Sequence, residues 1–361
     1  EIGSGLVGSE MCIRDRDTNK LLGHIPQVEY TYKVVGNMNE HQLSITESTW
    51  GGRPELVDTT GIIDYGSLMY IALQRAKTAR EAITVMTDLV SEYGYYSSGE
   101  SFSIADPEEV WIMEMIGKGP QNQGAVWVAV RIPDDCIAAH ANQSRIHKFP
   151  LDDKENCLYS PDVISFAREQ GYFNGLNKDF SFADAYAPAD FGALRGCEAR
   201  VWSFYNRFNS SMGKYLSYLN GKSKEYLPLY IKPDKKLSVQ DMKDAMRDHF
   251  EGTPFDMTQD VGAGPFKCPY RFRPMTFKVD SVEYTNERAV ATQQTAFTLV
   301  AQMRSWLPNA IGGVLWFGVD DTNTCVYVPL YACLNEVPEC YSELNGSMYD
   351  LSWTSAFWIH N

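Results

Sequence analysis

The order of elements along the 361-residue chain predicts an α+β protein in which two antiparallel sheets stack and are covered by helices, a four-layer αββα sandwich. Three observations carry this expectation. Short strand-like runs follow one another between residues 101 and 142. Helical spacing occupies residues 68–94 and parts of 160–250, and strands return after Pro274. Two apolar segments, residues 293–308 and 311–321, are joined by a Pro/Asn/Gly turn, with Arg304 and the pair Asp320 and Asp321 set against them.

Residues 28–35 and 43–50 alternate around a turn at Gly36 and Asn37, which predicts a hairpin with Leu43 and Ile45 on one face and Ser44, Thr46 and Ser48 on the other. Such a polar face either lines a site or simply meets water. Gly51, Gly52 and Pro54 end the strand. Two packing helices follow, one opening at Leu68 and one with Ala79, Ala82, Ile83, Met86, Leu89 and Val90 at helical spacing, stopped by Gly94. A four-stranded antiparallel meander is expected over 101–106, 109–115, 125–132 and 136–142, turned by Pro107 and Pro133. Its apolar runs imply cover on both faces.

Ser160, Pro161 and Asp162 predict a helix start of the N-cap and N1-proline kind. Helices continue at 199–205 and 242–250, with Ser238 as the cap of the second. Strands are expected again at 275–279 and 289–292, before the two paired segments and a last apolar run at 325–331. No repeat, low-complexity tract or linker divides residues 17–361, so one continuous domain is expected there.

A net charge of −14 argues against binding nucleic acid or an anionic membrane through a positive field. No apolar run is long enough to span a bilayer. None of the eight cysteines has zinc-site spacing, so neither a metal nor a cofactor is expected. Cys333 and Cys340 flank a loop that a disulfide could close in an exported protein; free thiols fit as well. This spacing and the abundant Tyr and Trp tilt the location toward export, and the oligomeric state stays open. Residues 1–16, EIGSGLVGSEMCIRDR, have no helical or strand period and resemble translated sequencing-adapter read-through. They are set aside as non-native.

Residues 34–40 (VVGNMNE), 137–146 (IAAHANQSRI), 247–256 (RDHFEGTPFD) and 293–321 resemble the PepD-like cysteine dipeptidases of the N-terminal-nucleophile hydrolase superfamily, in that family's order from about Leu21 onward. The resemblance implies the αββα sandwich, a dipeptide or small peptide substrate, and thiol attack through an acyl-enzyme without a metal. The nucleophile of that superfamily is the first mature residue. Its own α-amine, with a pKa of roughly 8, can accept the proton. No such cysteine is recognised here: Cys12 sits in the segment set aside and is expected to lead into no strand, and Cys136 is read as a core or turn thiol. The chain is therefore expected to be a fragment, truncated at both ends and inactive as it stands.

By the same resemblance Asn142 is the donor to the developing oxyanion, against a plain turn-forming Asn. Arg288 is the arginine that holds amine and thiolate, against local pairing with Glu287 or Glu283. Glu47 and Thr49 are expected near a second oxyanion donor, or else as surface polar residues. Asn39 is expected to fix the hairpin turn more than to touch substrate. Arg304 suits a substrate carboxylate, against a salt bridge to Asp320 or Asp321. His140 and His147 are taken as packing or surface residues. Two alternatives stand beside dipeptide hydrolysis: hydrolysis of non-peptide acyl amides, and a non-catalytic homologue that binds peptides.

Overall fold

The computed structural model describes residues 10–271, 276–342 and 352–356. The chain groups into two compact units, each built from more than one stretch of sequence. The first is Glu1–Asp190 with Leu229–Ile231 and Met303–Gly313, and the second is Phe191–Pro228, Lys232–Gln302 and Val314–Asn361. Antiparallel sheets and helices make up both, as an α+β protein requires.

In the first unit, β1 (Glu10–Arg14) and β2 (Leu21–Pro26) form an antiparallel hairpin. Ile13 and Ile25 are buried from it into a helix-covered core. This corrects the expectation that the opening residues carry no strand and that Cys12 leads into none. The alternation of Met11 and Ile13 with Cys12 and Arg14 is too short to stand out until a partner strand completes it.

The main sheet has seven strands: β3 (Val34–Val35), β4 (Met38–Asn39), β5 (Ser44–Trp50), β6 (Gly99–Ala105), β7 (Val110–Gly117), β8 (Ala125–Ile132) and β10 (Cys157–Tyr159), ordered β10-β8-β7-β6-β5-β4-β3. Successive side chains on a strand alternate between faces. On β7, Trp111, Met113 and Met115 enter a core with Ile45, Phe102 and Ile104, closed by α1 (Tyr65–Arg75) and α2 (Ala79–Tyr93). Ile112 and Ile116 enter a second core with Val126 and Val128, closed by α3 (Val163–Glu169) and α4 (Phe182–Tyr186). The cover on both faces that the apolar runs implied is thus present in this unit.

Local signals account for the helix ends. Asp64 accepts from the Ser67 N–H and Thr78 from the Glu81 N–H, capping α1 and α2, and Gly94 ends α2 at φ 75°. Three local expectations fail for tertiary reasons. Residues 28–33 form no strand, because Tyr32 N–H bonds the carbonyl of Gln74 in the last turn of α1. Of 136–142 only β9 (Ile137–Ala138) is extended, paired with β11 (Tyr230–Ile231), and β10 completes the meander instead. Ser160 does not cap α3, since its Oγ accepts from the Trp127 N–H.

In the second unit a π-helical turn at Leu194–Glu198 leads into the helix Ala199–Phe208. The helix Val239–Ala245 carries the expected Ser238 cap as a capping box with Asp241. It stops short of Phe250, whose φ of 65° is incompatible with it. The hairpin β12 (Thr276–Val279) and β13 (Val282–Thr285) precedes the sheet β14 (Phe297–Gln302), β15 (Val314–Val319) and β16 (Val328–Leu330). Residues 289–292 are not a strand; Ala291 N–H bonds the Asp248 carbonyl. Cys333 and Cys340 are free, half-buried thiols. No helix among the described residues is long and apolar enough to cross a membrane.

Gly99 at the start of β6 is fixed by packing. A Cβ there would stand 2.0 Å from the ring of Trp50, which is buried and donates to Ser101 Oγ at 3.0 Å. Gly99→Ala is expected to lower unfolding stability by about 1–3 kcal/mol in urea denaturation, as overpacking of a rigid core does. An unchanged midpoint would mean that Trp50 has room to move.

Candidate active site

The candidate site lies in the first unit, where the loop after β9 folds back on β5. Its foundation is Glu114, a fully buried carboxylate in an otherwise apolar strand. Ser144 donates its hydroxyl to Oε2, the Arg145 and Ile146 amides donate at 2.6 and 3.2 Å, and Ser101 adds a hydroxyl at 3.4 Å. Burial raises the Glu114 pKa and these donors act against it. Arg145, buried as well, donates to the Ala139 carbonyl at 2.7 Å and so closes the loop on itself.

The loop presents Asn142 in the left-handed region, at φ 57°, which Asn tolerates better than most residues. β4 pairs with β5 only at Ser44, so beyond it side chains meet the edge of β5 that faces away from β6. Asn37 Nδ2 donates to the Ile45 carbonyl at 2.8 Å, and Asn142 Nδ2 to the Thr49 carbonyl at 2.6 Å. The Asn142 backbone N–H donates to Ser48 Oγ at 3.2 Å.

His140 joins the same network through both ring nitrogens, Nδ1 at 2.6 Å from Ser48 Oγ and Nε2 at 2.9 Å from Ser103 Oγ. Ser48 Oγ also accepts from the Asn142 N–H, so the hydroxyl links the ring to the Asn142 loop. In the neutral ring one of these nitrogens donates and the other accepts. Burial, with the charge of Arg145, pushes His140 down to about 4. Read from sequence as packing, His140 is instead the link between β5, β6 and the Asn142 loop.

Thr49 and Glu47 are on the opposite face of β5. Thr49 Oγ1 donates to Glu100 Oε2 at 3.1 Å, across the register pair Thr49 and Glu100. Glu100 is fully buried, and burial together with nearby Glu47 pushes it up to about 11. Glu47, Thr49 and Asn142 are thus brought together around one end of β5. Glu100 and Glu114 were missed, and Ser48 was placed only on a polar face; a Glu inside a strand such as VWIMEMIG is itself a signal, because a buried carboxylate has to be satisfied.

Asn39 and Arg304 stand elsewhere. Asn39 is buried at the other end of β5, where its amide donates to the Leu73 and Ala76 carbonyls at 2.8 Å. The strand rise of roughly 3.3 Å per residue separates that end from Thr49. Arg304 directs its guanidinium at the Ile311 and Gly312 carbonyls, where a carboxylate was expected, and its backbone N–H bonds Gln42 Oε1 at 2.8 Å. Arg288 belongs to the second unit. There Glu287, its expected local partner, binds Arg195, and Arg288 is close enough to Arg200 and Cys197 to influence both.

His140 gives the site an acid limit. A group whose folded pKa lies below its unfolded value contributes stability at neutral pH that is lost as pH falls from about 6.5 toward 4. A doubly protonated ring could accept from neither serine. His140→Gln is expected to remove one proton's share of the acid slope, at most roughly 1.4 kcal/mol per pH unit. Urea unfolding of both proteins between pH 4 and 7 measures it, and parallel slopes would rule the role out.

The chain matches the description "Peptidase family C69" over residues 9–361, a span that includes β1 and begins ahead of Leu21. Among curated proteins it is 29% identical over 296 residues to a "Probable dipeptidase" of Salmonella dublin, covering 80% of this chain and 60% of that protein. It is 27% identical over 360 residues to a "Probable dipeptidase" of Latilactobacillus sakei, covering 95% and 68%. A "Probable dipeptidase B" of Lactococcus lactis is 27% identical over 300 residues, with 80% and 56% covered. The chain therefore spans between 56% and 68% of the length of these three relatives. On a match that takes in nearly all of its residues, the chain belongs to peptidase family C69.

Proposed function

We propose that this chain is the hydrolase part of a dipeptidase with the N-terminal-nucleophile mechanism, its antiparallel sheets layered between helices as αββα. The observation that carries the reading is the Asn142 turn, held by Ser48, Thr49 and Glu114 so that an amide and its strand edge form one rigid wall. Relatives named as dipeptidases support the substrate class.

In this mechanism the α-amine of an N-terminal cysteine takes the thiol proton and the sulfur attacks the peptide carbonyl carbon. Asn142 stabilises the oxyanion, the C–N bond breaks, and the leaving amine departs with the proton. Water then attacks the thioester, giving its proton to the α-amine; the second product leaves as a carboxylic acid and the thiol is restored. Three other thiols of the chain are poorly suited to the part. Burial pushes Cys157 up to about 12, and raises Cys197 and Cys325 as well.

Dipeptide turnover tests this. A protein whose mature chain opens with cysteine is expected to hydrolyse Ala-Ala, and Asn142→Ala to reduce its kcat by roughly 100-fold or more with a smaller change in KM. Turnover by the 361-residue chain itself would move the nucleophile to one of its own cysteines, and cleavage of acyl amides in place of dipeptides would replace the substrate class.

A further inference from the structure

An open cleft of about 540 Å3 lies in the first unit, at the end of β5 where Asn39 is buried. Its volume falls within the roughly 300–1,000 Å3 of small-molecule sites. One side is formed by Ser305 and Asn309 of the Met303–Gly313 segment. The other is formed where the turn between β6 and β7 meets the start of α2, and His41 and Gln42 of the turn between β4 and β5 complete the lining.

The sides are held by groups already committed to one another. Asp106 accepts from the N–H groups of Ala79, Glu108 and Glu109 at 2.7, 2.7 and 2.8 Å, which ties α2 to the β6–β7 turn. Arg80 grips Glu109 with two N–H groups, each at 2.8 Å. Gln42, 1% exposed and at φ 66°, accepts from the Arg304 N–H at 2.8 Å and donates to Asn309 Oδ1 at 3.0 Å. A Cβ on Gly312 would overlap the Gln42 amide, so the segment sits directly on this side chain. A buried residue other than glycine keeps a left-handed backbone only where its surroundings over-determine it.

Two charged side chains of the lining are left uncommitted. The Lys77 ammonium, 5.8 Å over the Tyr32 ring, makes no ion pair or hydrogen bond among the described residues. Glu108 spends its backbone N–H on Asp106 and its carboxylate on no described residue. These opposite charges stand on the two elements that Asp106 joins: Lys77 is two residues ahead of Ala79, and Glu108 two residues beyond Asp106. The Ser305 hydroxyl adds an uncommitted donor and acceptor on the facing side. A lone anion or a lone cation would satisfy one of the two charges and be repelled by the other.

We propose that this cleft binds a small zwitterion, a free amino acid or a dipeptide, with its carboxylate on Lys77 and its ammonium on Glu108. The paired charges and the cleft carry the assignment, which does not depend on the dipeptidase reading.

Calorimetric titration of the 361-residue protein at low ionic strength tests this with alanine and Ala-Ala, each also as its N-acetyl and its C-terminal amide derivative. Alanine, Ala-Ala or both are expected to bind, and the one that binds more tightly identifies the source of the zwitterion. Removal of either ligand charge is expected to weaken binding roughly 5-fold, the worth of a partly exposed ion pair. Lys77→Gln is expected to abolish the preference for the free carboxylate over the amide while keeping the preference for the free amine, and Glu108→Gln to do the converse. A side chain that served only the fold would weaken every ligand alike. Both substitutions replace uncommitted, exposed side chains, so the fold is retained. Absence of binding by both zwitterions, or derivatives that bind as well as their parents, overturns the site. Binding that is lost in Asn142→Ala and kept in both cleft variants places the ligand at Asn142 and overturns it too.

Discussion

The carboxylate of Glu114 is the constraint on which the candidate site depends. A charge-capable group in the middle of a sheet is tolerated only when donors surround it, and here they are Ser101, Ser144 and the amides of Arg145 and Ile146. Because two of those donors are backbone N–H groups, the carboxylate fixes the path of the chain itself. Asn142 lies two residues ahead of Ser144, so its left-handed turn follows from where Glu114 anchors the loop. A loop free to move could not hold an amide at a set distance from a reacting carbonyl.

Thr49 carries the second connection. Its carbonyl lies on the open edge of β5 and takes the Asn142 amide, while its hydroxyl lies on one face and takes Glu100. Ser48, one residue earlier, points to the other face and takes His140 and the Asn142 N–H. Two successive strand residues thus address both faces and the edge, which the twofold alternation of a strand allows and a helix does not. The pH behaviour of the two faces is opposite. His140 is neutral and held down by burial, and Glu100 is protonated and held up by burial and by Glu47, so both resist charging at neutral pH.

The family match and the geometry speak to different questions. Membership of peptidase family C69 sets the kind of chemistry to look for, on a match across residues 9–361. The geometry says which side chains are positioned: Asn142, Thr49 and Glu47 cluster with Ser48, His140, Glu100 and Glu114, while Asn39 secures the far end of β5 and Arg304 closes a short helix. A fold supports many chemistries, and the site's own donors and acceptors narrow them.

Sequence alone determined the α+β class, the helices α1 and α2, the strand β8 over its full length, and the turn-joined apolar segments that hold β14 and β15. Those features depend on period, caps and turn residues within one segment, and such signals are local. The resemblance also pointed to Asn142, Glu47 and Thr49. Only the tertiary structure decided what surrounds them, because the partners are remote in sequence: Ser48 is 92 residues from His140, and Glu114 is 30 from Ser144. It also decided where strand patterns fail, as at residues 28–33 and 139–142, where backbone and side-chain bonds to other elements displaced sheet pairing. A pattern along one chain records which residues prefer burial; which buried donor meets which buried acceptor is fixed only when the sheet and its covering loop close on each other.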